Sequence, residues 1–425
     1  MSKARAVRPE LLTLLVSLAF LLFYNLPLWQ RLLAITPGGW QGLGMMLAVG
    51  LMIAAIFNLA LTLLAFRWLL KPALTLLILA AAGTTYFMTQ YGVLMDVGML
   101  RNVMQTNPAE VADLLSPKLA VYLVLLGALP VWLLWRTPVR YRPWPRELLS
   151  KLLVALACLA LLAGVALANY QGLSSLFRNN KELRLQVTPS NLVGAAIGYA
   201  KGQAQAASQP LRPIAVDARR AALWQGHARK SLTVLVVGES ARAQNFGLNG
   251  YARETNPRLK AEEGLINFSN VHSCGTETAV SVPCMFSNLG RADYSDARAR
   301  TQEGLLDVLQ RAGLRVLWRD NQSGCKGTCD RVAFQDLSES KDPALCAGGE
   351  CHDEILLRDL QAFIDGLQQD TVLVLHQMGS HGPAYFKRYP REYEKFTPVC
   401  ASNDFSACSR DSIINGYDNT LLYTD

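Results

Sequence analysis

The sequence predicts a bundle of five membrane-spanning helices followed by an α/β domain with a mainly parallel sheet. Of its 425 residues 51% are hydrophobic and 17% charged, and the apolar excess lies in the first 170 residues. Beyond them, short apolar runs typical of strands alternate with helical patterns, as in βαβ units. We therefore expect a membrane domain over 1–170, a bridging helix and linker over 171–213, and an outer domain over 214–425.

Five apolar segments have about the 20 residues that a helix needs to cross a bilayer. The first runs from Leu11 to Trp29 behind a basic N-terminus, as in a signal peptide. It lacks a small-residue cleavage site, so we expect an uncleaved helix. The other four lie at about 42–66, 69–89, 119–135 and 152–169.

The charges of the loops predict the orientation of the bundle. Ten basic residues fall in the segments assigned to the cytoplasm, namely Lys3, Arg5, Arg8, Arg67, Lys71, Arg136, Arg140, Arg142, Arg146 and Lys151. The opposite loops hold only Arg31, Arg101 and Lys118. Cytoplasmic loops are rich in Lys and Arg, so the residues after 170 are predicted to lie outside the cytoplasm, which in a bacterium with two membranes would be the periplasm. Because the basic residues flank apolar segments, the net charge of +8 does not indicate nucleic-acid binding.

The loop at 91–117 is polar enough to leave the bilayer, and its pattern is helical. Asn102, Thr106 and Glu110 recur every four residues and should share one helix face. By themselves these residues favour the solvated face of an interfacial helix. Residues 173–201 suit a bridging helix on the membrane surface, and 204–213, AQAASQPLRP, read as a linker.

In the outer domain, strands are predicted at 231–237, 314–320 and 371–376, with helices over GLLDVLQRAG and EILLRDLQAFIDGL. The continuous apolar run of the first strand indicates burial on both faces. Glu239 follows its end, where open α/β sheets place their ligands. Alternatively, the carboxylate lies near the N-terminus of the next helix and is stabilised by the helix dipole.

One of nine cysteines, Cys158, lies in an apolar helix, and eight lie beyond residue 270. Paired CxxC knuckles of a zinc ribbon are absent, and clustered cysteines in an exported domain indicate disulfides in an oxidising compartment. Of the 105 possible connectivities we favour adjacent pairing. The pairs are Cys274–Cys284, Cys325–Cys329, Cys346–Cys351 and Cys400–Cys408.

Four motifs, GESARA, NGYARETNP, NFSNVHSCGTETAVSVPCMFS and LHQMGSHGP, occur in order along the chain. In these the sequence resembles the lipid A phosphoethanolamine transferases, the group that includes the mobilised colistin-resistance enzymes. The resemblance implies an inner-membrane enzyme whose periplasmic domain has the sulfatase and alkaline-phosphatase fold. Sulfatases carry Cys or Ser in a CxPxR pattern, which is absent from the site, and this argues against sulfate ester hydrolysis.

The resemblance assigns Thr278 as the nucleophile and Glu239 with Thr278 as ligands of a metal ion, with zinc expected. An alcohol is a weak nucleophile at neutral pH, and a coordinated metal would lower its pKa. Without the resemblance, Thr276 and Thr278 are equally good helix caps.

The resemblance places five further residues near substrate, namely Asn102, Thr106, Glu110, Ser323 and Lys326. It assigns His381 to substrate contact or to a second metal. His376 is a weaker candidate of the same kind. Each also has an ordinary interpretation, such as a solvated loop lysine or a hydrogen-bonded histidine. His352, Asp353 and Glu354 are adjacent in sequence, but consecutive helical residues point apart, and acids in a first turn are usual capping residues, so we exclude them as a metal cluster.

The implied reaction moves phosphoethanolamine from phosphatidylethanolamine, an inner-membrane lipid, to a phosphate of lipid A through a covalent threonine intermediate. Polymyxin or colistin resistance would follow. An inner-core lipopolysaccharide sugar is an alternative acceptor. A protein of another class, catalytically inactive and binding lipid through 91–117, is the alternative to an enzyme.

Relatives in this family continue beyond the position matched by Asp425, where an Asp-His pair and a further His complete the zinc site. We therefore expect a C-terminally truncated chain with two metal ligands, fewer than the three usual in catalytic zinc sites, and no turnover. An exposed sheet edge should accompany the truncation.

Overall fold

The structure, a computed structural model, describes residues 6–106, 108–224 and 229–425. The chain divides into two compact units. The first comprises Met1–Arg101 and Pro117–Ala200, and the second comprises Asn102–Ser116 and Lys201–Asp425. A segment from the loop predicted at 91–117 thus belongs to the same unit as the predicted outer domain.

The first unit is built of apolar helices. They are α1 (Pro9–Phe23), α2 (Leu26–Ile35), α3 (Trp40–Leu63), α4 (Leu70–Tyr91), α5 (Val97–Gln105), α7 (Pro117–Tyr122), α8 (Leu129–Arg136), α9 (Trp144–Ala168), α10 (Tyr170–Asn179) and α11 (Ser190–Ser208). α5 and α11 continue into the second unit, and α6 (Pro108–Leu114) belongs to it entirely. A π-helical turn joins α7 to α8 as one span. Within the described residues four helices are long and apolar enough to cross a membrane, or five if the bent pair α1 and α2 counts as one.

The first predicted span is not one straight helix. α1 and α2 meet at an angle of 58°. Pro27 falls in the first turn of α2, where a missing N–H is tolerated, but proline cannot continue a preceding helix. Asn25 stabilises the break, because its side-chain amide donates to the carbonyl of Phe20 at 2.8 Å.

The second unit surrounds a four-stranded parallel sheet. Its strands are β1 (Leu232–Val237), β2 (Arg315–Asp320), β3 (Ala333–Asp336) and β6 (Thr371–His376), in the order β1-β6-β2-β3; β4 (Cys346–Ala347) and β5 (Glu350–Cys351) form a separate antiparallel pair. Its further helices are α12 (Pro257–Ala261), α13 (Thr278–Met285), α14 (Asp296–Arg300), α15 (Leu305–Arg311), α16 (Leu360–Asp365) and α17 (Arg410–Thr424). The three predicted strands and the parallel arrangement are confirmed.

Side chains of the two central strands, β2 and β6, point alternately to the two faces of the sheet and form a hydrophobic core on each face. Val316 and Trp318 of β2 pack on one side of the sheet with Val374 of β6. Leu317 and Leu373 pack on the other. Because successive strand residues point to opposite faces, both faces of β2 and β6 are buried.

The prediction that 231–237 is buried on both faces is wrong. β1 lies at the edge of the sheet, where within the described chain it pairs only with β6. Val234 and Val236 are accordingly 42% and 58% exposed. The opposite edge strand, β3, was not predicted, because AFQD is short, half polar and exposed.

Three helical predictions need correction. The segment from Asn102 to Glu110 is not one helix, because α5 ends at Gln105 and α6 begins at Pro108. α11 extends to Ser208, so the predicted linker begins as helix. The pattern EILLRDLQAFIDGL forms a 3₁₀ turn and α16, separated at Asp359, whose φ is +54°.

Candidate active site

The carboxyl ends of β1 and β6 carry the centre of the site. Val237 pairs with His376 in the parallel register, so the segments that follow both strands leave the same edge of the sheet. The N–H of Ser380 donates to the carbonyl of Glu239 at 3.0 Å. A Cβ at Gly379 would lie 2.8 Å from that oxygen, and its φ is +53°, so this approach requires glycine.

Thr278 is the first residue of α13. Oγ1 donates to Oε2 of Glu239 at 2.9 Å. Glu277 occupies the N-cap position, so Thr278 is not the helix cap. Thr276 lines the same cavity, but Thr278 holds the hydrogen bond to the carboxylate.

Glu239 is 8% exposed and remains ionised. Burial by itself would raise its pKa, but nearby His381 and the hydroxyls of Ser240 and Thr278 lower the pKa to about 2. Ser240 Oγ donates to Oε1 at 2.7 Å, and Nδ1 of His381 lies 3.9 Å from the same atom. A carboxylate with so low a pKa orients the threonine hydroxyl but is a weak base at neutral pH.

A cavity of about 230 Å³, here called the catalytic cavity, contains Thr278 and Glu239. Eight of the nine residues predicted to be catalytic, to bind metal or to contact substrate line it: Asn102, Thr106, Glu110, Glu239, Thr278, Ser323, Lys326 and His381. The break between α5 and α6 therefore does not remove Asn102, Thr106 or Glu110 from the site. Sequence reasoning missed other lining residues, including Asp113, Gln322 and Arg388.

Lys326 brings a positive charge to the catalytic cavity. Its ammonium donates to the carbonyl and to the hydroxyl of Ser323, both at 2.7 Å. Burial lowers the pKa of Lys326, and the charges of Glu110 and Glu239 oppose that shift. The Cys325–Cys329 disulfide closes the loop that holds the lysine.

The prediction that His376 contacts substrate is wrong. The residue is fully buried, because β6 is a central strand, and it does not line the catalytic cavity. Its Nδ1 lies 2.7 Å from Asp320 Oδ1. The other oxygen of Asp320 accepts the N–H groups of Gln322 and Gly324, so the pair supports the loop of Ser323 and Lys326.

Asp353 has a role that sequence reasoning missed. Its Oδ1 accepts the N–H of Met378 at 2.7 Å, and its Oδ2 accepts the N–H of Gly379 at 2.8 Å. Burial raises the pKa of this carboxyl, while these donors oppose the rise. Asp353 thus fixes the segment that leads to His381. No signal in the sequence pairs residues 25 and 26 positions apart in this way.

The donors in the catalytic cavity have the chemistry of a divalent-metal site. Glu239 supplies an anionic oxygen, Thr278 a hydroxyl, and His381 an imidazole whose Nδ1 lies 3.9 Å from Glu239. Across the described ranges, however, no three His, Cys, Asp or Glu side chains are grouped as metal ligands. The set suits a divalent ion in kind but falls short of the three protein ligands usual for catalytic zinc.

All four disulfides predicted from adjacent cysteines are present in the structure. Cys274–Cys284 ties the segment before Thr278 to the end of α13. Cys158 is buried as a free thiol in α9.

Comparison with known families matches both units. Residues 53–204 match the family described as phosphoethanolamine transferase EptA/EptB, and residues 231–425 match the sulfatase family. Phosphoethanolamine transferase EptA of Escherichia coli strain K12 is 45% identical over 375 residues, covering 87% of this chain and 68% of the relative. Phosphatidylethanolamine transferase Mcr-1 of Escherichia coli is 40% identical, covering 99% of this chain and 79% of the relative.

A solved structure matches as well. It is the integral membrane protein lipooligosaccharide phosphoethanolamine transferase A (EptA) of Neisseria meningitidis, with a TM-score of 0.91 and 36% identity. The match covers 99% of this chain and 78% of that one. The chain spans 68% to 79% of the length of these three relatives. The resemblance to this family and the sulfatase-like fold of the second unit are confirmed.

Proposed function

The chain belongs to the phosphoethanolamine transferase family, and we propose that it transfers phosphoethanolamine from phosphatidylethanolamine to a phosphate of lipid A through Thr278. The observation that carries the proposal is the hydrogen bond from the Thr278 hydroxyl to Glu239, beside the ammonium of Lys326. One hydroxyl is thus oriented by a buried anion next to a cation that suits a phosphate.

In the first half-reaction, Oγ1 of Thr278 attacks the phosphorus of phosphatidylethanolamine. The bond from phosphorus to the glyceryl oxygen breaks, and the proton lost by the threonine ends on diacylglycerol. The product is a phosphoethanolamine ester of Thr278. Lys326 offsets negative charge that develops on the phosphoryl oxygens, and Glu110 attracts the ethanolamine ammonium.

In the second half-reaction, an oxygen of a lipid A phosphate attacks the same phosphorus. The bond between phosphorus and Oγ1 breaks, and the threonine oxygen recovers the proton that the acceptor phosphate loses. The transferred group adds an ammonium to lipid A, which lowers its net negative charge and weakens binding of cationic peptides such as polymyxin and colistin.

The family resemblance also implies zinc, with Glu239 and Thr278 as the residues that would contact it. A divalent ion bound there would lower the pKa of the threonine hydroxyl, a task for which Glu239 is too weak a base. The hydrogen bond to Glu239 holds the hydroxyl in one direction.

The distribution of Lys and Arg among the loops supports a periplasmic location for the second unit, in a multi-pass protein of the bacterial inner membrane. Phosphatidylethanolamine and lipid A are both lipids, so a membrane anchor keeps the reaction close to its substrates. Residues 1–170 would form the membrane domain, 171–213 the connection and 214–425 the catalytic domain.

The test compares Thr278→Ala with Thr276→Ala, which alters a hydroxyl in the same cavity. We expect mass spectrometry of lipid A from expressing cells to lose the phosphoethanolamine adduct with Thr278→Ala and keep it with Thr276→Ala. Thr278→Ser should retain part of the activity. Unchanged modification with Thr278→Ala would exclude this nucleophile, and no modification by the unaltered chain would favour a lipid-binding protein.

A further inference from the structure

The proposed reaction needs two occupants at the same time. When the acceptor arrives, phosphoethanolamine is already attached to Thr278 inside the catalytic cavity. That cavity, at about 230 Å³, is smaller than the roughly 300–1,000 Å³ typical of small-molecule sites. The sugar that carries the acceptor phosphate must therefore bind in adjoining space.

A larger cavity of about 470 Å³, here called the tyrosine–arginine cavity, lies beside the catalytic cavity. It is lined by Arg242, Gln244, Asn245, Tyr251, Tyr385, Arg410, Ile413, Ile414 and Tyr417. Tyr417 connects it to the reaction centre, because its hydroxyl donates at 2.8 Å to the carbonyl of Ser240, the residue after Glu239.

A second contact also joins the two cavities. The ring of Tyr385 lies against Gly382, where a Cβ would come within 3.2 Å of the ring. Ser240 and Gly382 both line the catalytic cavity. At each of these points one pair of contacting residues separates the two spaces, and a sugar in one could present its phosphate to the other.

The charges of the tyrosine–arginine cavity suit an anion. None of its lining residues is a carboxylate. Arg242 and Arg410 are exposed, and neither forms an ion pair with any residue that the structure describes. The guanidinium of Arg242 lies 4.5 Å from the ring centre of Tyr417, an attraction that holds it in place while its N–H groups remain able to bind phosphate.

The same cavity also offers surface for a sugar ring. Tyr385 stacks on Phe405 with ring centres 5.6 Å apart, which fixes its orientation. Ile413 and Ile414 add apolar surface. Rigid aromatic and aliphatic groups beside guanidinium groups match a phosphorylated sugar, which has both C–H faces and negative charge.

A third cavity, of about 350 Å³ against α13, is less suitable. Asp296, Glu303 and Asp330 line it and would repel a phosphate. Of its cations, Arg331 is held by Asp307 in a two-point ion pair. The third cavity also contains an arginine, Arg300. Its carboxylates nevertheless make it a poorer site for the acceptor phosphate than the tyrosine–arginine cavity.

We propose that the tyrosine–arginine cavity binds the phosphorylated sugar of the acceptor lipid, an inference that rests on the proposed transferase function. Arg242 and Arg410 bind anionic groups of that sugar, and Tyr385 and Tyr417 separate it from the phosphoethanolamine on Thr278. The two substrates thus occupy adjacent sites.

The experiment measures binding of purified lipid A to the full chain in phosphatidylethanolamine-free nanodiscs. All variants carry Thr278→Ala, which prevents turnover. We expect Arg242→Ala with Arg410→Ala to weaken the dissociation constant for lipid A at least tenfold. Arg410→Glu alone should weaken it as well, and it leaves the stacked Arg242 intact. The matched control is Arg300→Ala in the third cavity, which should bind lipid A as the parent does.

Unchanged lipid A affinity in both Arg410 variants would overturn the proposal. A loss of lipid A affinity in Arg300→Ala would overturn it as well. Binding of phosphatidylethanolamine vesicles should be equal in all variants, and a parallel loss there would indicate general damage and also contradict the assignment. Because the readout is binding, failure of the Thr278 test would refute the chemistry without deciding the acceptor site, and the two failures can be told apart.

Discussion

Asp113 and Arg388, 275 residues apart in the chain, form a buried ion pair with 3.1 Å between Oδ2 and Nη2. Both side chains are less than 5% exposed. The same guanidinium lies 2.8 Å from Glu350 and donates from Nε to the carbonyl of His381 at 2.8 Å. Arg388 therefore attaches α6, which carries Glu110, to the loop that carries His381.

Replacing Arg388 with Gln should destabilise the protein by about 3–5 kcal/mol, because two buried carboxylates lose their shared cation. The measurement is chemical unfolding of the full chain, with hydrogen exchange of residues 108–114 expected to rise. Lys387→Gln is the control. Lys387 also contacts Asp113 but is 38% exposed, so its loss should cost less than about 1 kcal/mol. Equal effects of the two substitutions would contradict the role given to Arg388.

Glu239→Gln should lower the divalent metal content of the purified full chain. The amide keeps the shape of the side chain but removes the negative charge that holds a cation. Metal would be measured by mass spectrometry after dialysis against zinc, and His272→Gln, a change at an exposed histidine outside the cavity, serves as the control. Zinc retained in Glu239→Gln at the level of the parent would count against Glu239 as a ligand.

Asp307 should make stability depend on pH in the acid range. Burial would raise its pKa, but hydrogen bonds from Arg331 and from the N–H of Gly304 lower it. A carboxyl with a lowered pKa in the folded state contributes stability above its unfolded value of about 3.9, and the contribution is lost as the pH falls below that value.

Asp307→Asn should therefore lower the free energy of unfolding at pH 7 by about 1–3 kcal/mol, and the melting temperature with it. It should also flatten the decline of stability below about pH 4. Thermal unfolding between pH 2.5 and 7 measures both. Asp293→Asn, at an exposed site, is the matched control. An acid decline equally steep in Asp307→Asn and in the parent would rule out this contribution.

Asp353→Asn should reduce transfer of phosphoethanolamine about tenfold or more. An amide presents one oxygen, so the N–H of Gly379 or of Met378 loses its acceptor and the segment before His381 is held less firmly. Glu354→Gln, at the exposed neighbouring position, should leave the rate unchanged. The rate is followed as phosphoethanolamine incorporated into lipid A, and full activity of Asp353→Asn would show that this segment is positioned by other contacts.

The sequence predicted the parts of the structure that are governed by local pattern. The β2 and β6 strands were predictable because their apolar runs are buried on both faces. The similar run in β1 was misread, because periodicity does not reveal which strand lies at an edge. His376 was misjudged for the same reason, since the burial of a central strand is decided by its neighbours.

In the candidate site, too, some residues could be predicted from the sequence and others could not. The family resemblance located Glu239, Thr278 and Lys326, and the structure brings these residues to one cavity. Asp353 and Arg388 act through backbone groups and charges far away in sequence, so no local pattern marks them.

The four disulfides close short loops, with sequence separations of 10, 4, 5 and 8 residues. Cross-links over such short spans remove little entropy from the unfolded chain compared with long-range ones. One of them, Cys274–Cys284, spans Thr278, and another, Cys325–Cys329, encloses Lys326. A reducing agent should therefore act on this protein as an inhibitor before it acts as a denaturant, because thiol exchange would loosen the loops of the cavity while the sheet beneath them stays folded.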